Sequence, residues 1–581
     1  MKKILVFAVV TLFSISVFAQ PVFDYNGIYY KPTSSTTVSV IANPNGTKYS
    51  GDITIPYTVK QGTIDFTVTS IADSAFFSCT ELTSIDLPTS ISVIGKESFR
   101  YCALLKSIEL PNITNVPYKA FMNCHKLESV DISNVTTIDK YALYNCNSLK
   151  SINIPNVITI GVLAFYYCAF DTIDLPKVET IGANAFNFCK NLKSINMPKV
   201  KTLEEGAFRM CNFTSLNLPA KLDSIGGYAL SYNSGLKYIT IDEANENFAV
   251  RDNVLYDKDF TKLIQYPIGQ EAKSISVPNT VTIIGGGAFA ECQYVERVDM
   301  PNVNIIEREA FENCIYLESV NMPKVTAIAK EAFYSCDRVV SIDIPNVTMI
   351  ESGAFSYCPD LQKVVLGNKV DSIKNEAFRG CASLDTFRII TAMPPVLGND
   401  VFTIYTQSEY TQPDMLIQVP CGASSLYKRI EGWENFKNYE DWVPEVTVLS
   451  NDEKMGVVVL DRQTTCDNPT AEIEAVRRSG YEFVKWSDEN TENPRVVTVE
   501  DEDITLTAIF QKVGTDVENV GIEGVTIYSD GEELCVEGVE GEYQIYTMTG
   551  ILMYRGTDTR VVLPRGVYMV RCGRGTVKVA L

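Results

Sequence analysis

One phrase is repeated along most of this chain. A copy reading IGANAFNFCKNLKSINMPKVKT runs from Ile181 to Thr202, and the next begins at Leu203. The Phe of its Ala-Phe pair returns at Phe76, Phe99, Phe121, Phe165, Phe186, Phe208, Phe289, Phe311, Phe333, Phe355 and Phe378, with Leu143 and Leu230 in two further slots. Neighbouring slots are 21 to 23 residues apart, except for one step of 59 between Leu230 and Phe289. A fixed period of this length predicts coils that bury their apolar edges against one another, a stacked solenoid. Such a stack presents a long surface rather than a pocket. The pattern points to a binding scaffold and does not name what is bound.

Inside the copy from Ile181, Ala185, Phe186, Cys189 and Leu192 sit at offsets 0, 1, 4 and 7, the spacing of one helical face. Ile195 and Met197 then alternate as in a strand, and Pro198, which has no N–H for a ladder, ends it. Each coil is therefore expected to hold a short helical segment, a short strand and a turn, with a parallel sheet on one face of the stack and helical segments on the other.

Residues flanking the inward Ile should form two solvent columns. One reads Ser84, Ser107, Ser129, Ser151, Thr172, Ser194, Ser215; the other reads Asp86, Glu109, Asp131, Asn153, Asp174, Asn196, Asn217. Hydroxyls and carboxylates can ligate Ca²⁺ or a glycan, but such monotony fits a solvated face hydrogen-bonded along the stack. The columns become varied at Tyr238, Arg297, Asp299, Lys363 and Arg388. These five are the candidate binding surface, because Tyr and Arg dominate many interface energies.

Twelve of the 16 cysteines keep the repeat register, each three residues after its slot. Inward register and an expected wide spacing on the helical side predict a column of free, buried thiols. Cys421, Cys466, Cys535 and Cys572 lie outside the repeats and have no evident pairing. There is no CxxC pair to suggest zinc, and no cofactor is expected. The single histidine, His125, adjoins Cys124, but a thiol in the buried register is a poor nucleophile. No phosphate loop or G-x-S-x-G elbow occurs, so the chain does not read as an enzyme.

The start, MKKILVFAVVTLFSISVFA, has a charged beginning, an apolar stretch and small residues at Val17 and Ala19, which predicts an export leader over residues 1–19. No later stretch reaches the ~18 apolar residues of a span. A formal charge of −21 disfavours nucleic acid and anionic membranes as partners.

The expected organisation continues with a β-rich N-terminal cap over 20–66 and repeats over 67–390. A hairpin insertion falls near 246–270, where DNVLYDKDFTKLIQYP places apolar runs around a polar turn. It reads equally as a binding lip or a tolerated insertion. A solenoid needs covered ends, so 391–443 should be a C-terminal cap plugged by Trp433 and Phe436. Residues 444–512 read as a small all-β module with Trp486 in its core, 513–523 as a linker, and 524–581 as a small antiparallel sandwich.

The unit IG-small-AF-xx-C-xx-L-xx-I-x-(L/I/M)-P resembles the BspA-like leucine-rich repeat family. The opening FDYNGIYY and the hairpin segment are similar to that family too. GYEFVKWSDENTENP resembles the B-repeat modules of internalin-like surface proteins. The tail, with VTIYSDGEELCVEG, QIYTMTGILM and LPRGVYMVRCGRGTVKV, resembles a C-terminal sorting domain of the type IX secretion system, although it lacks a basic terminal residue. The resemblance implies an α/β leucine-rich-repeat solenoid followed by two small all-β domains. It also implies a secreted or cell-surface bacterial protein that binds a host matrix protein or a bacterial surface protein without catalysis. A glycan is the alternative ligand.

Overall fold

Three sides make up each coil, and only two of them are strands. The computed structural model describes residues 21–406, 409–499, 503–512, 524–529, 533–573 and 575–581. The proposed leader (1–19) and linker (513–523) lie outside the described residues. The chain divides into two compact units, Met1–Ile417 with Leu426–Asn438, and Gln418–Ser425 with Tyr439–Leu581.

In the first unit, three- to four-residue strands form a long-strand ladder. Thr172–Asp174 pairs in parallel with Ser194–Asn196, aligning Thr172 with Ser194, Ile173 with Ile195 and Asp174 with Asn196. Ser107–Glu109 pairs with Ser129–Asp131 in the same way. The central residue points inward and its two neighbours outward, as strand alternation requires. A second ladder of two-residue strands, not anticipated from sequence, runs beside it. Thr137–Ile138, Thr159–Ile160, Thr180–Ile181, Thr202–Leu203 and Ser224–Ile225 pair in parallel, burying the aliphatic residue in nearly every copy.

The third side overturns the expected helical face. The repeats contain no helix; among the described residues only Ser424–Tyr427 and the 3-10 turn Trp433–Asn435 are helical, and both lie past the repeats. The Ala-Phe segment is instead a ribbon of overlapping turns. Ala185, Asn187 and Cys189 donate their N–H groups three residues back, to Gly182, Asn184 and Phe186. The alternate residues Asn184, Phe186 and Phe188 donate to Glu205, Ala207 and Arg209 of the next coil, at 2.7, 2.9 and 3.1 Å. A helix would need every one of these donors within the segment. Asn184 and Phe188 take φ of 55° and 63°, and the same two slots are left-handed in almost every coil. Gly287, Gly353 and Gly380 fill such slots where they occur. The spacing of three that suggested a helical face belongs equally to turns closed by i to i+3 bonds.

The inward Phe rings stack coil on coil. Phe311 and Phe333 are 4.9 Å apart at 2°, and Phe333 and Phe355 5.2 Å apart at 4°. Two slots hidden in the sequence emerge. Tyr266 stacks on Phe289 at 5.0 Å, and Phe402 on Phe378 at 5.7 Å. The expected hairpin is present: Val254–Asp257 pairs antiparallel with Lys262–Gln265. Its second strand then pairs in parallel with Ile283–Ile284, so the insertion lies within the short-strand ladder. On the ribbon side the stack bypasses it, because Tyr228 donates its N–H to Gly286 and Ser231 its hydroxyl to the Gly287 carbonyl at 2.9 Å.

Both ends of the stack are covered. Gly51–Thr54 extends the long-strand ladder onto Leu82–Asp86, and Ile64–Ile71 extends the short one onto Val93–Ile94. At the far end Trp433 is fully buried beside Phe387 and Phe402, and its indole N–H donates to the Pro395 carbonyl at 2.8 Å. Phe436 meets Phe402 edge-on at 5.4 Å.

The second unit is all strand apart from the helix residues it shares. Val446–Ser450 pairs in parallel with Ile504–Lys512, which pairs antiparallel with Tyr481–Trp486; Thr470–Arg477 joins Gly456–Arg462 and Arg495–Thr498. Trp486 is fully buried in this core and is not a ligand platform. Cys421 and Cys466, left unpaired in the sequence reading, form a disulfide. The described residues from Thr526 onward make two antiparallel sheets around Leu534, Tyr543, Ile545 and Val570, with Cys535 and Cys572 buried.

Candidate functional site

The outward columns of the long-strand ladder are held by the backbone register and by their own polar side chains. Asn196 donates to Asp174 at 2.7 Å, Asn321 to Asp299 at 2.6 Å, and Thr240 to Asn217 at 3.0 Å. Much of this face therefore satisfies itself along the stack. Among the described residues no three acid, thiol or imidazole groups are gathered as a metal ion would require.

The five candidate residues occupy this face without converging. Tyr238, Arg297 and Lys363 lie in the hydroxyl column, aligned with Ser215, with Ser274 and Ser319, and with Ser341 and Thr386 respectively. All three are exposed, Tyr238 by 56%. Asp299 and Arg388 are half-buried in the neighbouring column. Only Arg297 and Asp299 share a strand. The ladder is interrupted between Tyr238–Ile241 and Ser274–Ser276, where the insertion enters.

Ion pairs line that interruption. Lys237 meets Glu271 at 2.9 Å and Lys273 meets Glu296 at 2.6 Å. The Lys273 hydrogen bond holds the Glu296 carboxyl below the usual glutamate range. Beside them Tyr294 and Tyr316 are exposed, and the Arg338 guanidinium lies 4.7 Å from the Tyr316 ring. Sequence reasoning passed over these three residues. A Tyr returning after 22 positions, just before the inward Val295 and Leu317, was the available signal.

The thiol column is inert. Cys124 donates to the Phe99 carbonyl of the preceding coil at 3.1 Å, and Cys146, Cys189, Cys211, Cys314 and Cys336 repeat this bond at 3.2 Å. Burial pushes the Cys124 thiol well above its ordinary value and the Cys189 thiol up to about 12, so neither forms a thiolate at neutral pH. The thiols are free and buried, as the inward register predicts, but the expected wide spacing does not hold. The ribbon is not splayed; it is hydrogen-bonded from coil to coil.

Similarity to known proteins follows the same architecture. The family described as BspA type leucine rich repeat region matches residues 57–169, 158–263 and 268–385, and a divergent InlB B-repeat domain matches 446–514. A leucine rich cell surface protein from Faecalibacterium prausnitzii is 28% identical, over 64% of this chain and 96% of that one, with a TM-score of 0.52. The pneumococcal vaccine antigen PcpA is 21% identical, over 73% and 98%, with a TM-score of 0.44. A Bacteroides ovatus leucine-rich repeat protein is 23% identical, over 72% and 100%, with a TM-score of 0.42. No curated protein matches the chain. Among the described residues no helix is long and apolar enough to cross a membrane. The repeat phrase, the strand ladders and the family match over more than half the length agree: this chain belongs to the BspA-type leucine-rich repeat family.

Proposed function

We propose that this is an exported bacterial surface or secreted protein that adheres to a host or bacterial protein through the outward face of its long-strand ladder. Supporting this reading is the change of that face around the insertion, where the Ser column gives way to exposed Tyr238 and Arg297. Large amphipathic side chains on a rigid strand lose little entropy on docking, which is why Tyr and Arg recur as interface anchors. Under this reading residues 1–19 direct export, 20–66 and 391–443 cap the repeats of 67–390, and 444–512 is a spacer module. Residues 524–581, joined through 513–523, act as the sorting domain.

Immobilised mature protein should retain one or more purified matrix or bacterial surface proteins in preference to a glycan array. Combined Tyr238→Ala, Arg297→Ala and Lys363→Ala should lower that binding at least tenfold. Robust binding only to glycans would replace the protein ligand with a sugar, and undiminished binding by the triple variant would move the site elsewhere. Deleting 524–581 should abolish surface delivery while the repeats still fold.

A further inference from the structure

The ribbon side carries a second surface that the repeat pattern does not require. Six rings, Tyr118, Tyr141, Tyr144, Tyr166, Tyr167 and Phe188, form one linked stripe across four successive coils. Consecutive centroids are 4.7 to 6.5 Å apart, and Tyr144 lies parallel to Tyr166. All six are half-buried or exposed, Tyr167 by 42%. The stripe is not needed for stacking. Later coils keep a ring in the slot of Tyr144 and Tyr166 only at Tyr334 and otherwise hold Ala290, Glu312, Ser356 and Arg379, yet their Phe rings stack equally well.

Cations are seated on this stripe. Lys119 lies 4.7 Å from the Tyr118 ring and 5.7 Å from Tyr141, Lys140 lies 5.1 Å from Tyr141, and Lys190 lies 5.3 Å from Phe188. Among the described residues Lys140 and Lys190 have no ion-pair partner, and both are exposed. Across the ribbon segments 95–102, 117–124, 139–146, 161–168 and 182–190 the charges are Lys96, Arg100, Lys119, Lys140 and Lys190 against Glu97 and Asp139. A positive, aromatic stripe on a chain of net charge −21 is a local exception, and it complements an acidic partner.

We propose that the ribbon face between Tyr118 and Phe188 docks an acidic segment of a partner protein, with the Tyr rings taking its apolar side chains and Lys140 and Lys190 its carboxylates. Tyr144 and Tyr166 cover each other, and Lys119, Lys140 and Lys190 lie over the rings of Tyr118, Tyr141 and Phe188, so several ring faces are already occupied, which suits a peptide better than the flat side of a sugar. This surface is separate from the strand face and does not depend on that face being a binding site.

The test uses the full chain with a fluorescein-labelled peptide rich in Glu, Asp and Leu. Its lysine-substituted counterpart, single-stranded DNA and heparin serve as competing probes. The acidic peptide should bind, with affinity falling as salt rises. Lys140→Glu with Lys190→Glu should weaken binding about tenfold or more, and Tyr144→Ser with Tyr166→Ser should do the same. Arg297→Ala with Lys363→Ala should leave it unchanged. The two lysines are exposed, so their reversal decides the matter even if the Tyr variants unfold. Equal binding of the lysine peptide, tighter binding of DNA or heparin, or indifference to the lysine reversals would each overturn the proposal.

Discussion

Ahead of the insertion, positions around the buried slot carry Tyr144, Tyr166 and Phe188 beside Lys140 and Lys190; behind it, comparable positions carry Glu291, Glu309, Glu312 and Glu331. The backbone beneath is the same. Phe165 and Phe186 lie 5.2 Å apart ahead of the hairpin, as Phe333 and Phe355 do behind it, and the left-handed slots recur on both sides. Folding therefore fixes the inward residues and leaves the outward ones open. The chain has used that freedom differently: a linked ring stripe in front, and more acids behind, where Tyr334 and Tyr357 form a ring pair and Arg308 and Lys330 hold the slot of Lys140. Rear acids are drawn into a cluster, where Arg308 meets Glu309 at 2.6 Å and Glu331 at 3.5 Å, Arg209 reaches Glu309 from the front, and Tyr232 donates its hydroxyl to Glu312.

The strongest challenge to a shared inner frame is to cut it on both sides. Phe186→Ala and Phe333→Ala should each cost about 3–5 kcal/mol, with hydrogen exchange showing adjacent coils fraying first. A large loss in one half only would mean that the halves are not built alike. Next comes the ribbon itself. Leu163 has φ of 56°, so Leu163→Gly should be neutral or stabilising by up to about 1 kcal/mol in urea unfolding. In a helix the same change would cost about 1 kcal/mol.

The acids sharpen the contrast through pH. Burial raises the Glu312 carboxyl in the folded state, and Glu309 adds to the rise, while Tyr232 opposes it. The folded protein then binds that proton more tightly than the unfolded chain. The group costs stability above its folded pKa and nothing below the ordinary 4.5. Glu312→Gln should raise Tm at neutral pH, and the gain should vanish as pH falls to about 4. Glu97→Gln in front, which loses contact with Arg100 and Lys119, should give no such gain. The smallest effect belongs to the strand face, where Asp174→Ala should stay within about 0.5 kcal/mol. A cost there equal to that of Phe186→Ala would reverse the assignment of inside and outside.

Much of this frame was legible because it rests on single residue types at a fixed period. The stack, the inward Phe and Cys columns and the outward Ser and Asp columns followed from spacing, the hairpin from apolar runs around a polar turn, and the Trp433 plug from the need to cover the last coil. The expected helical face was wrong, because Phe186, Cys189 and Leu192 are three apart in a helix and in overlapping turns alike. The distinguishing marks were Gly206, Gly287 and Gly353 two residues before the slot, and they are visible in few coils. The second ladder was missed because a Thr-Ile pair is too short to alternate. Tyr266 and Phe402 were missed because their flanks, LIQYP and NDVF, no longer match the phrase. The candidate surface was read only from breaks in monotony, which found Tyr238 and Arg297 but not the ring stripe. That stripe joins slots three and two residues before the buried slot with slots one and two after it, and no linear pattern links them.

The column of sulfur atoms imposes an order of events. Each of the repeat cysteines is shielded only once its neighbours have closed around it, and until then the unfolded chain carries a reactive group in almost every coil. Oxidant that arrives early can couple one coil to another and jam the assembly. Oxidant that arrives late finds only Cys421 and Cys466 to join. In an oxidising compartment, completing the spine before oxidation becomes a kinetic requirement, and every added coil lengthens the race.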